Sequence, residues 1–239
     1  MDPRGASALV TGAGRGIGRA IAIALGGRGA SVTLVARTRG DLEETASAVR
    51  AAGGQAVVQT GDLRRRADCD AAVAAAASAH GGLQILVNNA GIGAHLSVAE
   101  TGDEVWNDTL ETNLGAAFRV TRAALPHLVE RGGHIFMISS LAGQNAIAGM
   151  AAYCASKAAL DHFAACLMLE VRHQGVKVTT IAPGSVDTSF GREPGDVRGE
   201  GWMLTAEDVA NAVLDLLAVR DAAHLSRLEM RPLRPPKRA

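Results

Sequence analysis

Aromatic side chains are scarce in this chain of 239 residues, which has four phenylalanines, two tryptophans and a single tyrosine. That tyrosine is Tyr153, and it precedes Lys157 by four residues in the stretch AAYCASKAAL. Such sparing use of one residue type leaves two interpretations open: a chance packing residue, or part of a reactive centre.

Cysteine is also rare, with three residues at Cys69, Cys154 and Cys166. The number is odd, and the sequence has neither a CxxC pair nor a Cys/His spacing typical of zinc sites. These patterns argue against a disulfide framework and predict no metal site. A reducing compartment suits such a chain.

Net charge and long apolar runs are absent as well. Lys plus Arg and Asp plus Glu number 24 each, so no large field favours nucleic acid or anionic lipid. No run of eighteen apolar residues and no signal-peptide pattern occurs, which predicts a cytoplasmic protein without a membrane partner. The basic, proline-rich end at 232–239 is expected to be a flexible tail.

Predicted strands and helices alternate along the chain, and a composition of 48% hydrophobic and 20% charged residues predicts one globular domain over 1–239. Runs rich in Val, Ile and Leu, such as SVTLVAR, are followed by Ala-rich segments of helical period. The pattern predicts an α/β fold with a doubly wound, Rossmann-like parallel sheet of about seven strands, covered by helices on both faces. Its ligand should lie beyond the carboxyl ends of the strands. Helices are expected near 103–129, 151–174 and 205–219, and 184–204 is expected to be a substrate loop.

Glycine is concentrated directly after the first predicted strand, at Gly12, Gly14, Gly16 and Gly18. Without Cβ atoms the backbone can approach a pyrophosphate, and the N-terminus of the following helix attracts negative charge. A tight turn without a ligand is the alternative. Because the spacing is TGxxxGxG rather than GxGxxG, the chain resembles the short-chain dehydrogenase/reductase family, whose nucleotide turn has this form.

The end of the second predicted strand bears on the choice of cofactor. Arg37 ends this strand with Thr38 beside it, and Arg15 lies in the glycine turn. No acid stands at 36 or 37 to accept the ribose 2′-hydroxyl of NAD, whereas guanidinium groups can bind the 2′-phosphate of NADP(H). The pattern therefore predicts NADP(H), with two solvated surface arginines as the alternative. The missing acid also argues against an S-adenosylmethionine methyltransferase.

The family resemblance covers about residues 6–190 and implies further cofactor contacts. Asp62 resembles the adenine-side aspartate, NNAG at 88–91 the loop over the cofactor, and PGSVDT at 183–188 the segment beside the nicotinamide. The residues expected to contact the cofactor are Gly12, Arg15, Gly16, Ile17, Gly18, Arg37, Thr38, Asp62, Leu63, Asn89, Ala90, Gly91, Tyr153, Lys157, Pro183, Gly184, Val186 and Thr188.

Tyr153 and Lys157 lie four residues apart in a predicted helix and so share one face. A phenol has a pKa of about 10, and an ammonium group about 4 Å away could lower that pKa by up to ~3 units. The pair therefore predicts that Tyr153 exchanges protons near neutral pH as a general acid/base.

Two further catalytic residues are implied by the resemblance. Ser140 would polarise the substrate carbonyl, and Asn113 would hold a water molecule against Lys157. With Tyr153 they imply hydride transfer from NADPH to a carbonyl group, which the tyrosine protonates. An alcohol or hydroxy-acid dehydrogenase working oxidatively and a dinucleotide-sensing protein without catalysis are the alternatives.

The substrate is expected to be a small carbonyl or alcohol compound, with ketones, 3-oxoacyl thioesters and aromatic carbonyls all open. The C-terminal LSRLEMRPLRP departs from the acyl-carrier reductase branch of the family, which weakens the 3-oxoacyl interpretation. Apolar residues on several faces of the helices near 103–129 and 151–174 predict a homodimer or homotetramer. The residues expected to border the substrate pocket are His95, Gln144, Asn145, Met150, Phe190 and Trp202.

Overall fold

A seven-stranded, fully parallel sheet forms the centre of the computed structural model, which describes residues 1–190 and 201–236. The strands lie side by side in the order β3-β2-β1-β4-β5-β6-β7. Their bounds are β1 Ser7–Thr11, β2 Ser31–Ala36, β3 Gln55–Thr60, β4 Ile85–Asn88, β5 His134–Ile138, β6 Lys177–Pro183 and β7 Arg227–Met230.

Seven α-helices connect or follow the strands within the described residues. Their bounds are α1 Gly16–Gly27, α2 Arg39–Ala51, α3 Arg66–His80, α4 Asp103–Leu110, α5 Ala116–Arg131, α6 Ala151–Val171 and α7 Ala206–Ala218. The doubly wound sheet with helices on both faces that the sequence predicts is confirmed.

Both faces of the sheet are buried, and successive strand residues alternate between two separate cores. In β5, Phe136 and Ile138 pack into the core that contains side chains of α1, α2 and α7. Ile135 and Met137 pack into the other core, with α3, α5 and α6. Since side chains of a strand point alternately to opposite faces, two apolar faces require the nearly continuous hydrophobic runs seen in the sequence.

The strand order reverses between β1 and β4, which places a crevice where their carboxyl ends diverge. The chain passes from β1 outward to β2 and β3, then returns to the other side of β1 to build β4 to β7. In open parallel sheets a ligand binds outside this switch point. The glycine turn after β1 and the segment after β4 both lie there.

Two local features differ from the sequence prediction. The helix predicted near 103–129 is two helices, α4 and α5, joined by a π-helical turn at Glu111–Gly115. The sequence pattern does not predict strand β7. Its residues RLEM form a short edge strand whose side chains alternate between exposed and half-buried, so the apolar run of a central strand is missing. Residues 191–200 of the predicted substrate loop and 237–239 of the predicted tail lie outside the described residues.

No helix in the described part of the chain is both long and apolar enough to cross a membrane. Nor do three or more His, Cys, Asp or Glu side chains come together as metal ligands anywhere in 1–190 or 201–236.

Candidate active site

A cavity of about 360 Å³ opens at the carboxyl ends of the strands. Arg15 and Arg37 border one part of it, and Ser140, Tyr153 and Lys157 border another. Of the residues predicted to contact the cofactor, all but Gly18 line this cavity. The predicted sites that are scattered over the sequence therefore meet in one place.

The glycine turn forms a floor that side chains would obstruct. Gly12 has φ +65°, and a Cβ atom on it would lie 2.9 Å from Ala90 Cα. Gly16 has φ +53° and begins α1, whose first backbone N–H groups have no partner within the helix. A left-handed, closely approached backbone beside a helix N-terminus suits the phosphate groups of a dinucleotide.

Gly18 differs from the other glycines because it packs behind the turn. A Cβ atom on Gly18 would lie 2.3 Å from the Gly12 carbonyl oxygen and 2.5 Å from Asn89 Nδ2. The structure therefore gives Gly18 a different place from the predicted one: its missing side chain lets α1 approach the turn and β4, and the residue does not line the cavity.

Replacing Gly18 by alanine should lower the free energy of unfolding by about 1–3 kcal/mol, the usual cost of overpacking a filled interior. Urea unfolding measures this. Gly40→Ala is the matched control, because a Cβ atom there meets nothing within 4 Å and the residue lies in the first turn of α2. That control should leave stability unchanged or raise it by up to about 1 kcal/mol. Equal stabilities of the two variants would contradict the packing role of Gly18.

Arg15 and Arg37 supply positive charge at the cavity, and neither forms an ion pair with another described residue. The sequence reasoning missed an acid there, since Asp41 of α2 also lines the cavity and packs against Gly14. The stretch TRGDLEE could have indicated this acid, because it places Asp41 in the first turn of the helix after the second strand.

Asp62 lines the cavity as predicted, but its carboxylate is already occupied. Arg64 Nη2 lies 2.6 Å from Asp62 Oδ2, and Arg64 Nη1 lies 2.7 Å from Asp108 Oδ1 in α4. The hydrogen bond from the Arg64 side chain lowers the pKa of Asp62, and the charge of Arg37 contributes in the same direction. Arg64 thus borders the cavity and ties the predicted adenine side to α4, a contact that the sequence did not indicate.

The segment after β4 is held against β1 by Asn89. Its backbone N–H donates to Thr11 Oγ1, and its Nδ2 donates to the carbonyl oxygens of Thr11 and Gly12. Asn88, by contrast, points away from β1 and donates to Thr121 Oγ1 of α5. Asn89 therefore fixes the distance between the glycine turn and the loop that faces it.

Asn113 lies in the π-helical turn, and its amide holds a loop of the cavity in place. Its Oδ1 accepts from the Ile92 backbone N–H, and its Nδ2 donates to the Ile92 carbonyl and to Ser156 Oγ. The side chain is buried and does not line the cavity. These bonds use both donors of the amide and one of the two lone pairs of Oδ1, so the expected water between Asn113 and Lys157 stays a prediction.

Ser140 and Tyr153 approach each other from the turn after β5 and the first turn of α6. Ser140 Oγ accepts from the Ala142 backbone N–H, which fixes the hydroxyl group while leaving its proton free to donate. The Tyr153 ring packs against the Phe190 ring, with 5.5 Å between centroids. A hydrogen bond also joins the two side chains, so both hydroxyl groups lie at one part of the cavity wall.

The acidity of Tyr153 differs from the sequence prediction. Burial raises the pKa of the phenol above its ordinary value, although a hydrogen bond from Ser140 acts in the opposite direction. Burial also lowers the pKa of Lys157, to about 8, so above that pH the lysine loses the charge that was expected to lower the pKa of the phenol. An ammonium group that gives up its charge so easily stabilises a phenolate less than a fixed charge would.

Lys157 is 4% exposed and extends beneath the cavity. Its Nζ donates to the Ile138 carbonyl at 2.8 Å and lies 5.7 Å from the centre of the Tyr153 ring. A Cβ atom on Gly91 would lie 3.6 Å from this Nζ. The lysine therefore contacts both the end of β5 and the loop after β4.

The segment after β6 closes the cavity over the glycine turn. The Gly184 backbone N–H donates to the Met230 carbonyl of β7, and a Cβ atom on Gly16 would lie 3.4 Å from Thr188 Cγ2. Pro183, Val186 and Thr188 line the cavity as predicted.

Of the six residues predicted to border the substrate pocket, Phe190 lines the cavity and the others do not. The His95 ring covers Gly149, and a β-bridge joins the neighbouring Leu96 to Met150. Gln144 and Asn145 are exposed, and Trp202 is half-buried. These five residues therefore do not line the cavity formed by the described residues.

Several residues that the sequence reasoning missed also line the cavity. They are small or apolar residues without a chemical signature, or side chains brought in by a neighbouring turn: Ala36, Asp41, Gly61, Arg64, Ile92, Thr112, Ile138, Ser139 and Ser189.

The known proteins that this chain resembles, described below, carry the names of dehydrogenases or reductases. The sequence profile described as short chain dehydrogenase matches residues 6–196. A putative ketoacyl reductase of Streptomyces coelicolor is 37% identical over 86% of this chain and 80% of its own length. The 3-oxoacyl-(acyl-carrier-protein) reductase of Escherichia coli strain K12 is 35% identical over 95% of each chain. An alcohol dehydrogenase from the archaeon Thermococcus sibiricus, solved with 5-hydroxy-NADP, superposes with a TM-score of 0.89 at 27% identity, over 97% of this chain and 98% of its own.

Proposed function

The chain belongs to the short-chain dehydrogenase family, and on that basis we propose that it is an NADP(H)-dependent oxidoreductase that reduces a ketone or 3-oxoacyl carbonyl group. One observation carries the proposal. The cavity has Arg15 and Arg37, which form no ion pair with another described residue, at one part of its wall and Ser140, Tyr153 and Lys157 at another. A cofactor with a 2′-phosphate and a carbonyl substrate would have suitable partners there.

The described residues fit a dinucleotide. Gly12 and Gly16 leave the backbone bare where a phosphate would lie, and α1 directs its N-terminus at the same place. Arg15 and Arg37 would hold the 2′-phosphate, and Lys157 would contact the nicotinamide ribose. When bound, the reduced nicotinamide supplies the hydride.

Side chains of the enzyme bind the carbonyl oxygen of the substrate and protonate it. The Ser140 hydroxyl donates to this oxygen and stabilises the negative charge that develops on it. Tyr153 Oη then donates its proton to the same oxygen, which yields the alcohol. The Lys157 ammonium stabilises the resulting phenolate until the phenol regains a proton.

The Tyr153 phenol is protonated at neutral pH, and burial raises its pKa further, which suits a general acid in the reductive reaction. A general acid must begin the reaction protonated, and burial keeps the phenol protonated at neutral pH. Oxidation would require a phenolate at the start. The alternative, an alcohol or hydroxy-acid dehydrogenase working oxidatively, is favoured by the likeness to the archaeal alcohol dehydrogenase.

The substrate class follows from the relatives rather than from the cavity. Both curated relatives carry ketoacyl or 3-oxoacyl reductase names. We propose that a 3-oxoacyl thioester or similar ketone enters past Phe190, with His95, Gln144, Asn145, Met150 and Trp202 at the outer rim.

We also propose that the enzyme is cytoplasmic and acts as a homodimer or homotetramer. Phe118 on α5 and Leu169 on α6 are 44% and 57% exposed. Large apolar side chains exposed on two neighbouring helices suit packing against a second copy of the chain.

The test compares initial rates in both directions. Purified enzyme is supplied with NADPH or NADH and a panel of ketones and a 3-oxoacyl thioester, and with NADP⁺ and the matching alcohols. We expect NADPH oxidation with at least one carbonyl substrate to exceed both NADH oxidation and alcohol oxidation at pH 7. Faster NADP⁺ reduction across the panel would establish the oxidative alternative. NADPH binding without turnover on any compound would establish a sensing protein.

A further inference from the structure

Four charged side chains of alternating sign form an ion-pair ladder from the edge of the sheet to the helix that carries Lys157. The ladder consists of Asp161 on α6 and of Arg227, Glu229 and Arg231, which lie on β7 or directly after it. Arg227 Nη2 lies 3.2 Å from Asp161 Oδ2, Arg227 Nε lies 3.6 Å from Glu229 Oε1, and Arg231 Nη2 lies 3.0 Å from Glu229 Oε2.

Burial differs between the two ends of this ladder and is deepest at Asp161. The Arg231 side chain is 58% exposed, Glu229 34%, Arg227 37% and Asp161 9%. Asp161 Oδ1 is fully buried and has no hydrogen-bond partner among residues 1–190 and 201–236. A carboxylate whose one oxygen lacks a partner keeps a strong field in its surroundings, because nearby water does not screen it.

Asp161 lies directly against the catalytic turn. A Cβ atom on Gly143, three residues after Ser140, would lie 2.9 Å from Asp161 Oδ2 and 3.1 Å from the Lys157 carbonyl carbon. Because Lys157 and Asp161 are four residues apart on one helix, they share a face. The Asp161 carboxylate therefore lies against the catalytic turn and the backbone of Lys157, one helical turn beyond that residue on α6.

The charged and titratable groups around Lys157 are few in the described part of the chain. From α6 they are Tyr153, the neighbouring Cys154 and Asp161, and from β7 they are Arg227 and Glu229 through Asp161. The π-helical turn contributes only the neutral amide of Asn113 and the end of β5 a backbone carbonyl. Burial lowers the pKa of Lys157 to about 8, and the charge of Asp161 opposes that fall.

We propose that Asp161 is a positioning residue that keeps the Lys157 ammonium charged at neutral pH, with Arg227 moderating its field. The role in reduction rests on the proposed function, since a charged Lys157 is what stabilises the Tyr153 phenolate after proton transfer. The electrostatic coupling itself does not depend on any substrate.

Substitutions of the two partners of the ion pair, Asp161 and Arg227, should shift the pKa of Lys157 in opposite directions. Removing the negative charge of Asp161 destabilises the ammonium form, so the pKa of Lys157 should fall. Removing the positive charge of Arg227 leaves Asp161 unopposed, so the pKa of Lys157 should rise. A tether that only joined α6 to β7 would give no such opposite response.

The chain has three lysines, at Lys157, Lys177 and Lys237, so this titration can be observed directly. Protein labelled with ¹³C at lysine Cε is titrated by NMR from pH 6 to 11, and the Lys157 signal is identified by its loss in Lys157→Met. We expect a midpoint of about 8 for the wild type. Asp161→Asn should lower it by roughly one unit, and Arg227→Gln should raise it by roughly half a unit.

Two further variants serve as controls. Glu229→Gln removes a negative charge from the outer part of the ladder and should move the midpoint less than Asp161→Asn does. Arg227→Lys keeps the positive charge and should restore the wild-type midpoint, which separates charge from packing. Melting temperatures identify any variant that fails to fold, and Arg227→Met, which also removes the positive charge, then takes the place of Arg227→Gln.

Shifts of Asp161→Asn and Arg227→Gln in the same direction, or no shift in Asp161→Asn, would overturn the proposal. Because NMR needs no turnover, this outcome is independent of whether the protein reduces ketones. If the protein reduces ketones, the pH dependence of kcat should shift in the same direction as the Lys157 midpoint in each variant.

Discussion

Tyr153→Phe should lower kcat for carbonyl reduction by at least ~100-fold, since general acid catalysis typically supplies 10²–10⁴-fold. The substitution removes one hydroxyl group and keeps the ring that packs on Phe190. The cavity shape and the positive groups that would bind NADPH stay in place. The loss should therefore fall on kcat, while the dissociation constant of NADPH changes little.

The measurement is steady-state NADPH oxidation with the best substrate of the panel, together with NADPH binding by fluorescence. Ser47→Ala is a suitable control, because it also removes one hydroxyl group but from the exposed face of α2, where the group donates to the Glu43 carbonyl. Wild-type turnover in Tyr153→Phe would show that another group protonates the product. The phenol would then be a packing residue.

Arg37→Asp should change the preferred cofactor from NADPH to NADH. The arginine lines the cavity at the end of β2, where a 2′-phosphate would lie. Hydrogen bonds to a charged group contribute about 1.5–3 kcal/mol, so losing them should weaken NADPH binding by roughly 10- to 150-fold. The new carboxylate can accept a hydrogen bond from the ribose 2′-hydroxyl of NADH and repels a 2′-phosphate.

Dissociation constants of both cofactors test this change, measured for the wild type, Arg37→Asp and Arg39→Asp. The last variant makes the same charge change two residues further on, at a side chain that is 71% exposed, pairs with Glu43 and does not line the cavity. Only Arg37→Asp should reverse the preference. Unchanged NADPH affinity in this variant would mean that Arg37 is a solvated surface residue.

Much of the architecture could be predicted because its causes are local. A strand buried on both faces needs a continuous apolar run, and HIFMI in β5 is such a run. The glycine turn could also be predicted from the sequence, because positive φ and close backbone approach restrict the residue type at Gly12 and Gly16. Helical periodicity likewise places Tyr153 and Lys157 on one face.

Other features depend on residues that are distant in the sequence. The resemblance implies that Asn113 acts beside Lys157, but the direction of its amide depends on a π-helical turn and on the backbone of Ile92. Asp62 has the position that the family resemblance implies, yet Arg64 and Asp108 determine which groups its carboxylate binds. No periodicity or spacing indicates such pairings.

The amino-acid sequence by itself determined the sheet, the nucleotide turn and the order of the reactive residues, because these follow from backbone conformation and the side-chain period of each element. Only the tertiary structure decided how the pKa values of Tyr153 and Lys157 depart from their ordinary values. Burial raises the pKa of one and lowers that of the other, and the counter-charge of Asp161 is in turn held by Arg227, 66 residues further along the chain. Desolvation and long-range charge exist only once distant segments have packed together, which is why the phenol is less acidic than its neighbouring ammonium group suggested.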